Sequence, residues 1–338
     1  MSTILDTTLQ GGEKAAVKRV LPPLVTGQEM VLLGVIAALW ILLGLSTPAF
    51  LSTGSIIPLL VSVAPIALVG VGMTFVIITA GIDVSVGAIM MVCAVVTAKT
   101  LVALGLPLLP AVLLAAALGA LLGLVNGTLV AYGKVHPIII TFGTANIFLF
   151  IGLRIFGSST VNGIPPTFEV FGRGSAGQTL GVPHSFAITI VVVALAWWFL
   201  RHAVSGRHLY AIGGNANAAR LAGVKVQPLL VMSYAVTGAL AGVAACFLIA
   251  QGTSTLNQSI GRGLELAVIA AVVIGGTSIL GGRGSVLGTL LGAILVQTVT
   301  SGVTQLGWPS QSSDLVVGVA IIIAVGTDII RERARRKP

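Results

Sequence analysis

Long apolar runs without a charged residue are the feature that most constrains this chain. The longer runs that lack Asp, Glu, Lys and Arg cover 30–82, 100–133, 135–153, 174–200, 226–261 and 284–313. A helix of roughly 20 apolar residues crosses the hydrocarbon core of a bilayer, so most of these runs are long enough to span it. Only 8% of the residues are charged, against about 25% in soluble domains. The composition excludes a soluble enzyme, a disordered chain and a disulfide scaffold.

The number of membrane helices follows from polar breaks within these runs. The run 30–82 is too long for one crossing, and the polar residues at 46–48 and 52–55 divide it into two helices. The pattern predicts an all-α, polytopic integral membrane protein with about ten transmembrane helices, near 30–46, 56–80, 84–102, 108–132, 137–156, 183–200, 228–251, 264–280, 284–304 and 312–330. The eighth contains Gly275-Gly276, which is compatible with a broken helix that lines a cavity or with a short, tilted helix.

The net charge of +9, from 18 basic and 9 acidic residues, is interpreted as an orientation signal. A nucleic-acid binder would carry a dense basic patch on a soluble surface, so no nucleic-acid partner is expected. With the N-terminus in the cytoplasm, fourteen of the 18 basic residues fall on the cytoplasmic side. We therefore expect both termini to be cytoplasmic. The domain prediction is a cytoplasmic segment 1–29, one transmembrane domain 30–330 with an outer loop 157–182 and a cytoplasmic loop 201–227, and a basic tail 331–338.

Neither a metal site nor a catalytic site is indicated. Cys93 and Cys246 lie within apolar stretches, and the Cys and His residues lack the spacing of metal ligands. The sequence has no Gly-x-x-x-x-Gly-Lys-[Ser/Thr] phosphate loop, so ATP hydrolysis, if it drives this protein, belongs to another polypeptide.

The predicted cytoplasmic loop contains signals for a short helix. Asn215 follows Gly213-Gly214 and is a good N-cap, 216–222 is rich in Ala, and Gly223 is a C-cap residue. A helix of about two turns is not stable alone in water. It therefore packs beneath its own membrane helices or is received by a cytoplasmic partner.

Three stretches resemble one protein family. Residues 206–223 read GRHLYAIGGNANAARLAG, 81–87 read GIDVSVG, and 263–288 read GLELAVIAAVVIGGTSILGGRGSVLG. They are similar to the permease subunits of bacterial ABC importers of the ribose/sugar type, whose coupling loop the first stretch matches. The resemblance implies contact with an ATPase through Gly213, Gly214, Asn215, Asn217, Ala218, Ala219, Arg220 and Gly223. Many relatives have Glu where this chain has Asn217, which affects a polar contact rather than the helix.

The resemblance implies a transport subunit in the bacterial inner membrane rather than an enzyme. Its partners would be a cytoplasmic ATPase that binds ATP and Mg, an extracytoplasmic solute-binding protein, a second permease copy or a paralogue, and membrane lipid. No cofactor is expected in this chain. The solute would be a sugar, a polyol or an autoinducer-2-like molecule. An ion-coupled secondary transporter of a small polar solute is the alternative, although intramembrane acids and histidines that would carry protons are scarce; a membrane scaffold that moves no solute is a third.

Candidate residues for the solute pathway or its gating are Asp83, Ser85, Thr141, Phe142, Asn146, Gly276, Thr277 and Ser278. Asp83 is the strongest of these candidates, because an acidic residue near a membrane span is energetically costly. A carboxylate at this position also suits the start of a helix. Thr141 and Asn146 are neutral polar residues near the aromatic Phe142, a combination that suits a sugar. The alternative is that these polar groups form hydrogen bonds between helices.

Two further patterns concern surfaces. The candidates for docking of the binding protein are Arg154, Arg173 and Arg262. Arg262 is also expected to pair with Glu265 on one helix face near the outer surface. Two glycine stripes with a four-residue repeat predict close helix packing; they are Gly119, Gly123 and Gly127, and Gly284, Gly288 and Gly292.

Overall fold

The protein is described from a computed structural model that covers residues 27–133, 135–157, 160–252, 254–309 and 311–336, with side chains described up to 326. Most of the predicted N-terminal segment 1–29 and the end of the basic tail, 337–338, lie outside the described residues. Residues 331–336 are helical.

The described chain is a bundle of α-helices. Its helices are α1 Gly27–Ser46, α2 Thr53–Ile78, α3 Val86–Leu104, α4 Leu108–Gly133, α5 Pro137–Phe156, α6 His184–His202, α7 Val204–Gly214, α8 Ala216–Leu221, α9 Val226–Gln251, α10 Leu264–Ile274, α11 Val286–Gln305 and α12 Gln311–Arg336. Among the described residues, eight helices are long and apolar enough to cross a membrane, and α10 and 311–326 are shorter apolar helices. The prediction of an all-α polytopic membrane protein is confirmed.

The few strands lie in the connections between helices. Strands β1 Thr160–Asn162 and β4 Thr255–Asn257 pair antiparallel, with Val161 opposite Leu256. A second antiparallel pair joins β2 Gln178–Thr179 to β3 Val182–Pro183. Short 3-10 helices are Pro48–Leu51, Pro166–Phe171 and Ser175–Gly177. The β1–β4 pair ties the segment after α5 to the segment that leads into α10.

The eighth predicted helix, 264–280, is too long, because α10 ends at Ile274. Gly276 has a φ of +96°, a left-handed conformation that ends a helix. Gly275 also packs so closely on α11 that a Cβ there would lie 2.5 Å from the carbonyl carbon of Gly288. The chain therefore leaves the helix six residues early and forms the turn 275–285.

The prediction of a loop with one short helix at 201–227 is incomplete. The eleven-residue helix α7 precedes α8 and buries Gly206, Leu209 and Ile212 on one face. These positions are three residues apart, which is the spacing of one face of a helix. The two glycines at its end mark its C-terminus at Gly214, so the break expected there is present.

Helix α2 is the centre of the bundle, since 94% of its membrane-crossing stretch is buried within the protein, against 22% for α4 and α5. The first glycine stripe packs as predicted. The second does so only in part, because Gly284 lies before α11, in the turn 275–285, and faces Ile78 and Thr277. In α4, a Cβ at Gly119, Gly123 or Gly127 would overlap or crowd the backbone of α9. In α11, a Cβ at Gly292 would overlap the backbone of α10 at Ala271, and one at Gly288 would overlap Gly275, just beyond the end of α10. These close contacts set the spacing between helices and hence the position of every side chain between them.

Candidate functional site

Helix α8 is held at both ends by the predicted caps. The Asn215 side-chain oxygen accepts hydrogen bonds from the amides of Asn217 and Ala218, each at 3.0 Å. Gly223 has a φ of +85° and donates its amide to Arg220. Ala219 is buried with Ile212, Val224 and Val226. A helix this short is therefore stabilised by caps and by one buried residue rather than by its length.

The other faces of α8 are exposed. Asn217, Ala218, Arg220 and Gly223 lie on the surface, and Leu221 is 91% exposed. This segment is not one of the candidate membrane spans. The helix packs on its own bundle through Ala219 and presents a polar and apolar surface on its remaining sides.

Helix α7 is in backbone contact with the membrane helices through Gly213. A Cβ at this position would overlap the carbonyl oxygen of Ile78 at the end of α2 and the amide nitrogen of Gly282. Those two atoms also bond to each other, because Gly282 donates to Ile78 at 2.8 Å. Ile78 and the turn 275–285 are called the coupling platform below.

Tyr210 adds a second attachment of α7 to the coupling platform. Its hydroxyl donates to the carbonyl oxygen of Gly284 at 3.0 Å. Burial raises the pKa of Tyr210 to about 12, so the hydroxyl remains a donor at physiological pH. Sequence analysis did not single out Tyr210, although it lies within the motif 206–223, and it missed Ile78, which has no local signal that separates it from an ordinary core residue.

Three predicted pathway residues belong to the coupling platform. Gly276 lies against the Gln28 side chain, Thr277 lies against Gly284, and the Ser278 amide donates to Arg283. Thr277 and Ser278 are buried. The structure thus brings these residues together with α7 and with the start of α1.

Asp83 lies in the turn between α2 and α3 and is wholly buried. Its Oδ1 accepts from the Ser85 amide at 2.9 Å and from the Ser85 hydroxyl at 2.6 Å. Asn126 on α4 donates its Nδ2 to the Ser85 hydroxyl at 2.6 Å. The carboxylate therefore fixes the turn that leads into α3 by bonding to Ser85, the residue before the helix, which is the geometry of an Asx-turn.

Thr141 on α5 clamps the same turn from the other side. Its hydroxyl donates to the carbonyl of Ile82 at 3.0 Å and accepts from the amide of Val84 at 3.2 Å. Buried hydrogen bonds of this kind hold an irregular segment in one position. Thr141 thus holds the backbone on both sides of Asp83.

A polar cluster with unpaired atoms surrounds Asp83. Among the described residues, Asp83 Oδ2, Asn126 Oδ1 and the Tyr234 hydroxyl are buried without a hydrogen-bond partner. The Tyr234 hydroxyl lies beside Gly81, where a Cβ would be 2.7 Å from it. Sequence analysis missed Asn126 and Tyr234, which come from α4 and α9. The glycine contacts between these two helices bring them to the turn.

A cavity of about 210 Å³ opens beside this turn, between the start of α3, the middle of α5 and the segment before α10. It is lined in part by Val84, Phe142, Asn146, Gln258, Arg262 and Glu265. Phe142 and Asn146 were predicted for the pathway, and the structure brings them to one cavity. Gln258 and Glu265 were not among the predicted pathway residues, because nothing in the sequence relates them to α5.

Arg262 occupies a different position from the one expected. It precedes α10, which begins at Leu264, so Arg262 and Glu265 do not share a helix face. Both side chains line the cavity instead. The glycines on either side, Gly261 and Gly263, have left-handed backbones that a helix would not contain.

The remaining basic candidates lie toward the opposite end of the bundle from α7. Arg154 is exposed in the last turn of α5. Arg173 is exposed and lines a cavity of about 480 Å³ that Phe168 and Gln251 also line. Within the described part of the chain, no group of three His, Cys, Asp or Glu residues is arranged to hold a metal ion.

Comparison with known proteins decides the family. Residues 55–325 match the family described as "Branched-chain amino acid transport system / permease component". The chain belongs to this permease family. The match covers the Asp83 turn, the cavity and the α7–α8 segment, so all three parts of the site lie within the family's domain.

The similar curated proteins are import permeases. The chain is 39% identical to the ribose import permease protein of Bacillus subtilis strain 168, over 85% of this chain and 88% of that protein. It is 37% identical to the ribose import permease protein of Escherichia coli K12, over 83% and 88%. It is 35% identical to the fructose import permease protein of Rhizobium meliloti, over 82% and 79%. No solved structure matches the chain.

These comparisons confirm the resemblance that the three sequence motifs indicated. The chain is a multi-pass membrane protein and a permease subunit of an import system of the ABC type. It is a transport subunit and not an enzyme.

Proposed function

We propose that this chain is the permease subunit of an ABC importer that carries a sugar or a sugar-like solute across the bacterial inner membrane. A separate cytoplasmic ATPase binds ATP and Mg and supplies the energy, and an extracytoplasmic solute-binding protein delivers the solute. A second copy of the chain or a paralogue completes the membrane part. The observation that carries the proposal is the exposed helix α8, joined through α7 to the backbone of the membrane helices.

The proposed coupling follows the contacts from α8 inward. The exposed surface of α8, with Leu221 and Arg220, is received by the ATPase. Movement of the ATPase displaces α7, which pushes on Ile78 and Gly282 through backbone contact at Gly213. Since no flexible side chain intervenes, the displacement is passed to the end of α2 with little loss. The Asp83 turn follows that end directly and forms one wall of the cavity, so the cavity changes with the nucleotide state.

The proposed topology keeps one transmembrane domain, 30–330, with both termini in the cytoplasm. Gln28 at the start of α1 lies against Gly276 in the coupling platform. This contact supports an N-terminus on the same side as α7 and α8. The segment 157–182 then lies on the outer face, where Arg154 and Arg173 are proposed to contact the binding protein.

The proposed solute class rests on two observations. Relatives are named for the import of ribose and fructose and for the transport of D-allose. The cavity is lined by amide side chains, an aromatic ring and two side chains of opposite charge, a combination suited to a neutral hydroxylated molecule.

The test is uptake by the complete importer in proteoliposomes, with D-ribose, D-fructose and D-allose as solutes. Uptake should require the ATPase, ATP and the binding protein. Leu221→Asp should abolish association with the ATPase, whereas Leu180→Asp should not, because Leu180 is 99% exposed in the outer segment. Uptake by this chain alone, driven by an ion gradient without ATP, would instead establish the ion-coupled transporter.

A further inference from the structure

The cavity beside the Asp83 turn combines a carboxylate, a guanidinium, an amide and an aromatic ring, from Glu265, Arg262, Asn146 and Phe142. We infer that this cavity is a solute-binding site of the permease itself, and that Glu265 and Arg262 select a solute by paired hydroxyl groups. The inference rests on the proposed function and adds to it a second point of selection, after the binding protein. Asp83 and Thr141 support the wall of this site rather than contact the solute.

Glu265 is held in place by close backbone contacts. It lies in the first turn of α10, where the helix dipole favours the ionised carboxylate. A Cβ at Gly87 would overlap Oε2 of Glu265, so the carboxylate rests on the bare backbone of α3. The segment before α10 also packs on α3, since a Cβ at Gly261 would be 2.5 Å from the Gly87 carbonyl oxygen. The carboxylate is thus positioned before any solute arrives.

The chemistry of the lining suits two neighbouring hydroxyl groups. A carboxylate accepts two hydrogen bonds and a guanidinium donates two in one plane, and each charged partner strengthens the bond. The Asn146 Nδ2 donates to the Phe142 carbonyl at 2.8 Å, which leaves its second N–H as a donor and its side-chain oxygen as an acceptor. Because Glu265 and Arg262 carry opposite charges, the lining as a whole favours neither an anion nor a cation.

The apolar part of the lining suits the carbon face of a sugar ring. Phe142 is 63% exposed and Met91 and Leu149 line the same cavity. The volume of about 210 Å³ is smaller than the roughly 300–1,000 Å³ of pockets for drug-sized ligands, so it suits a single sugar ring better than an oligosaccharide.

The experiment measures protection of a cysteine in the cavity. Ala145 lines the cavity, and the native Cys93 and Cys246 are fully buried, so Ala145→Cys gives a local maleimide reaction. The variant is made in the complete importer. The probe is whichever of D-ribose, D-fructose and D-allose the importer takes up. The sugar should slow the reaction of Ala145→Cys but not that of Leu180→Cys. Ribose 5-phosphate, an anion, should not protect.

Glu265→Gln then tests the selecting group. It should raise the sugar concentration for half-protection about tenfold, because hydrogen bonds to a charged group are lost. Asp314→Asn is the matched control, since Asp314 is also an acid in the first turn of a helix but lies outside the cavity. It should leave half-protection unchanged. No protection by a transported sugar, or the same half-protection in Glu265→Gln, would overturn the inference.

If Ala145→Cys does not react with maleimide, the rate of ATP-driven uptake tests the inference instead. A tenfold slower ATP-driven uptake by Glu265→Gln, with unchanged stimulation of ATP hydrolysis by the loaded binding protein, supports the inference, and unchanged uptake overturns it. These results are distinct from a failure of the proposed function, in which the unmodified importer would show no ATP-driven uptake of any of the three sugars.

Discussion

Two adjacent glycines at the end of α7 allow the proposed coupling to be tested by one methyl group. A Cβ at Gly213 would overlap backbone atoms of Ile78 and Gly282, whereas a Cβ at Gly214 would meet nothing within 4 Å. Gly214 also has no left-handed φ, so alanine fits its backbone. Gly213→Ala and Gly214→Ala therefore differ in one contact while they make the same chemical change.

The magnitude follows from what the methyl group displaces. It either pushes α7 away from the coupling platform or breaks the hydrogen bond from Gly282 to Ile78, which is 2.8 Å long. Overpacking costs about 1–3 kcal/mol and a lost hydrogen bond about 1 kcal/mol, so docking of α7 is weakened by about 1–3 kcal/mol, with 2 kcal/mol as the central value. A loss of 2 kcal/mol lowers the docked population relative to the undocked one about 30-fold. Gly214→Ala should be neutral or stabilise α7 by about 0.5–1 kcal/mol.

The assay is the ratio of solute imported to ATP hydrolysed by the complete importer in proteoliposomes. Gly213→Ala should still assemble with the ATPase, because α8 and its caps are unchanged, but its ratio should fall at least tenfold. Gly214→Ala should match the unmodified importer. If Gly213→Ala assembles normally and its ratio of solute imported to ATP hydrolysed equals that of the unmodified importer, transmission through this backbone contact is refuted.

Three further predictions concern other parts of the structure, and each is tested by thermal unfolding of the purified protein. Gly123→Ala should destabilise it by about 1–3 kcal/mol through overlap with the backbone of α9, whereas Gly133→Ala, which meets nothing within 4 Å, should not. Asp83→Ala should cost about 1–3 kcal/mol by leaving the buried Ser85 donors without an acceptor, and Asp83→Asn should cost less because its amide oxygen still accepts. Tyr210 should add stability that is fully present below pH 10 and lost as pH rises toward about 12, since the unfolded chain releases the hydroxyl proton first; Tyr210→Phe should lose this dependence, and an identical pH profile in both proteins would contradict it.

The sequence by itself determined the features that depend on local composition and local hydrogen bonds. Charge-free runs specify membrane helices because burying a charge in hydrocarbon is costly wherever it occurs. Asn215 and Gly223 specify the ends of α8 because a cap bonds to residues within one turn. The motifs at 81–87, 206–223 and 263–288 specified the family for the same reason, as each is a continuous stretch.

Only the tertiary structure decided which distant residues meet. Arg262 and Glu265 share a cavity with Asn146, while Gly276 to Ser278, close to them in sequence, lie at the coupling platform near α7. Helix packing through glycine produces both arrangements, and a glycine stripe does not specify in sequence the helix it will contact. The length of α10 was decided in the same way, because it ends where its backbone meets that of α11. In a chain with so few charges, long-range positions are set by the shape of small residues, and shape is defined only when both helices are in place.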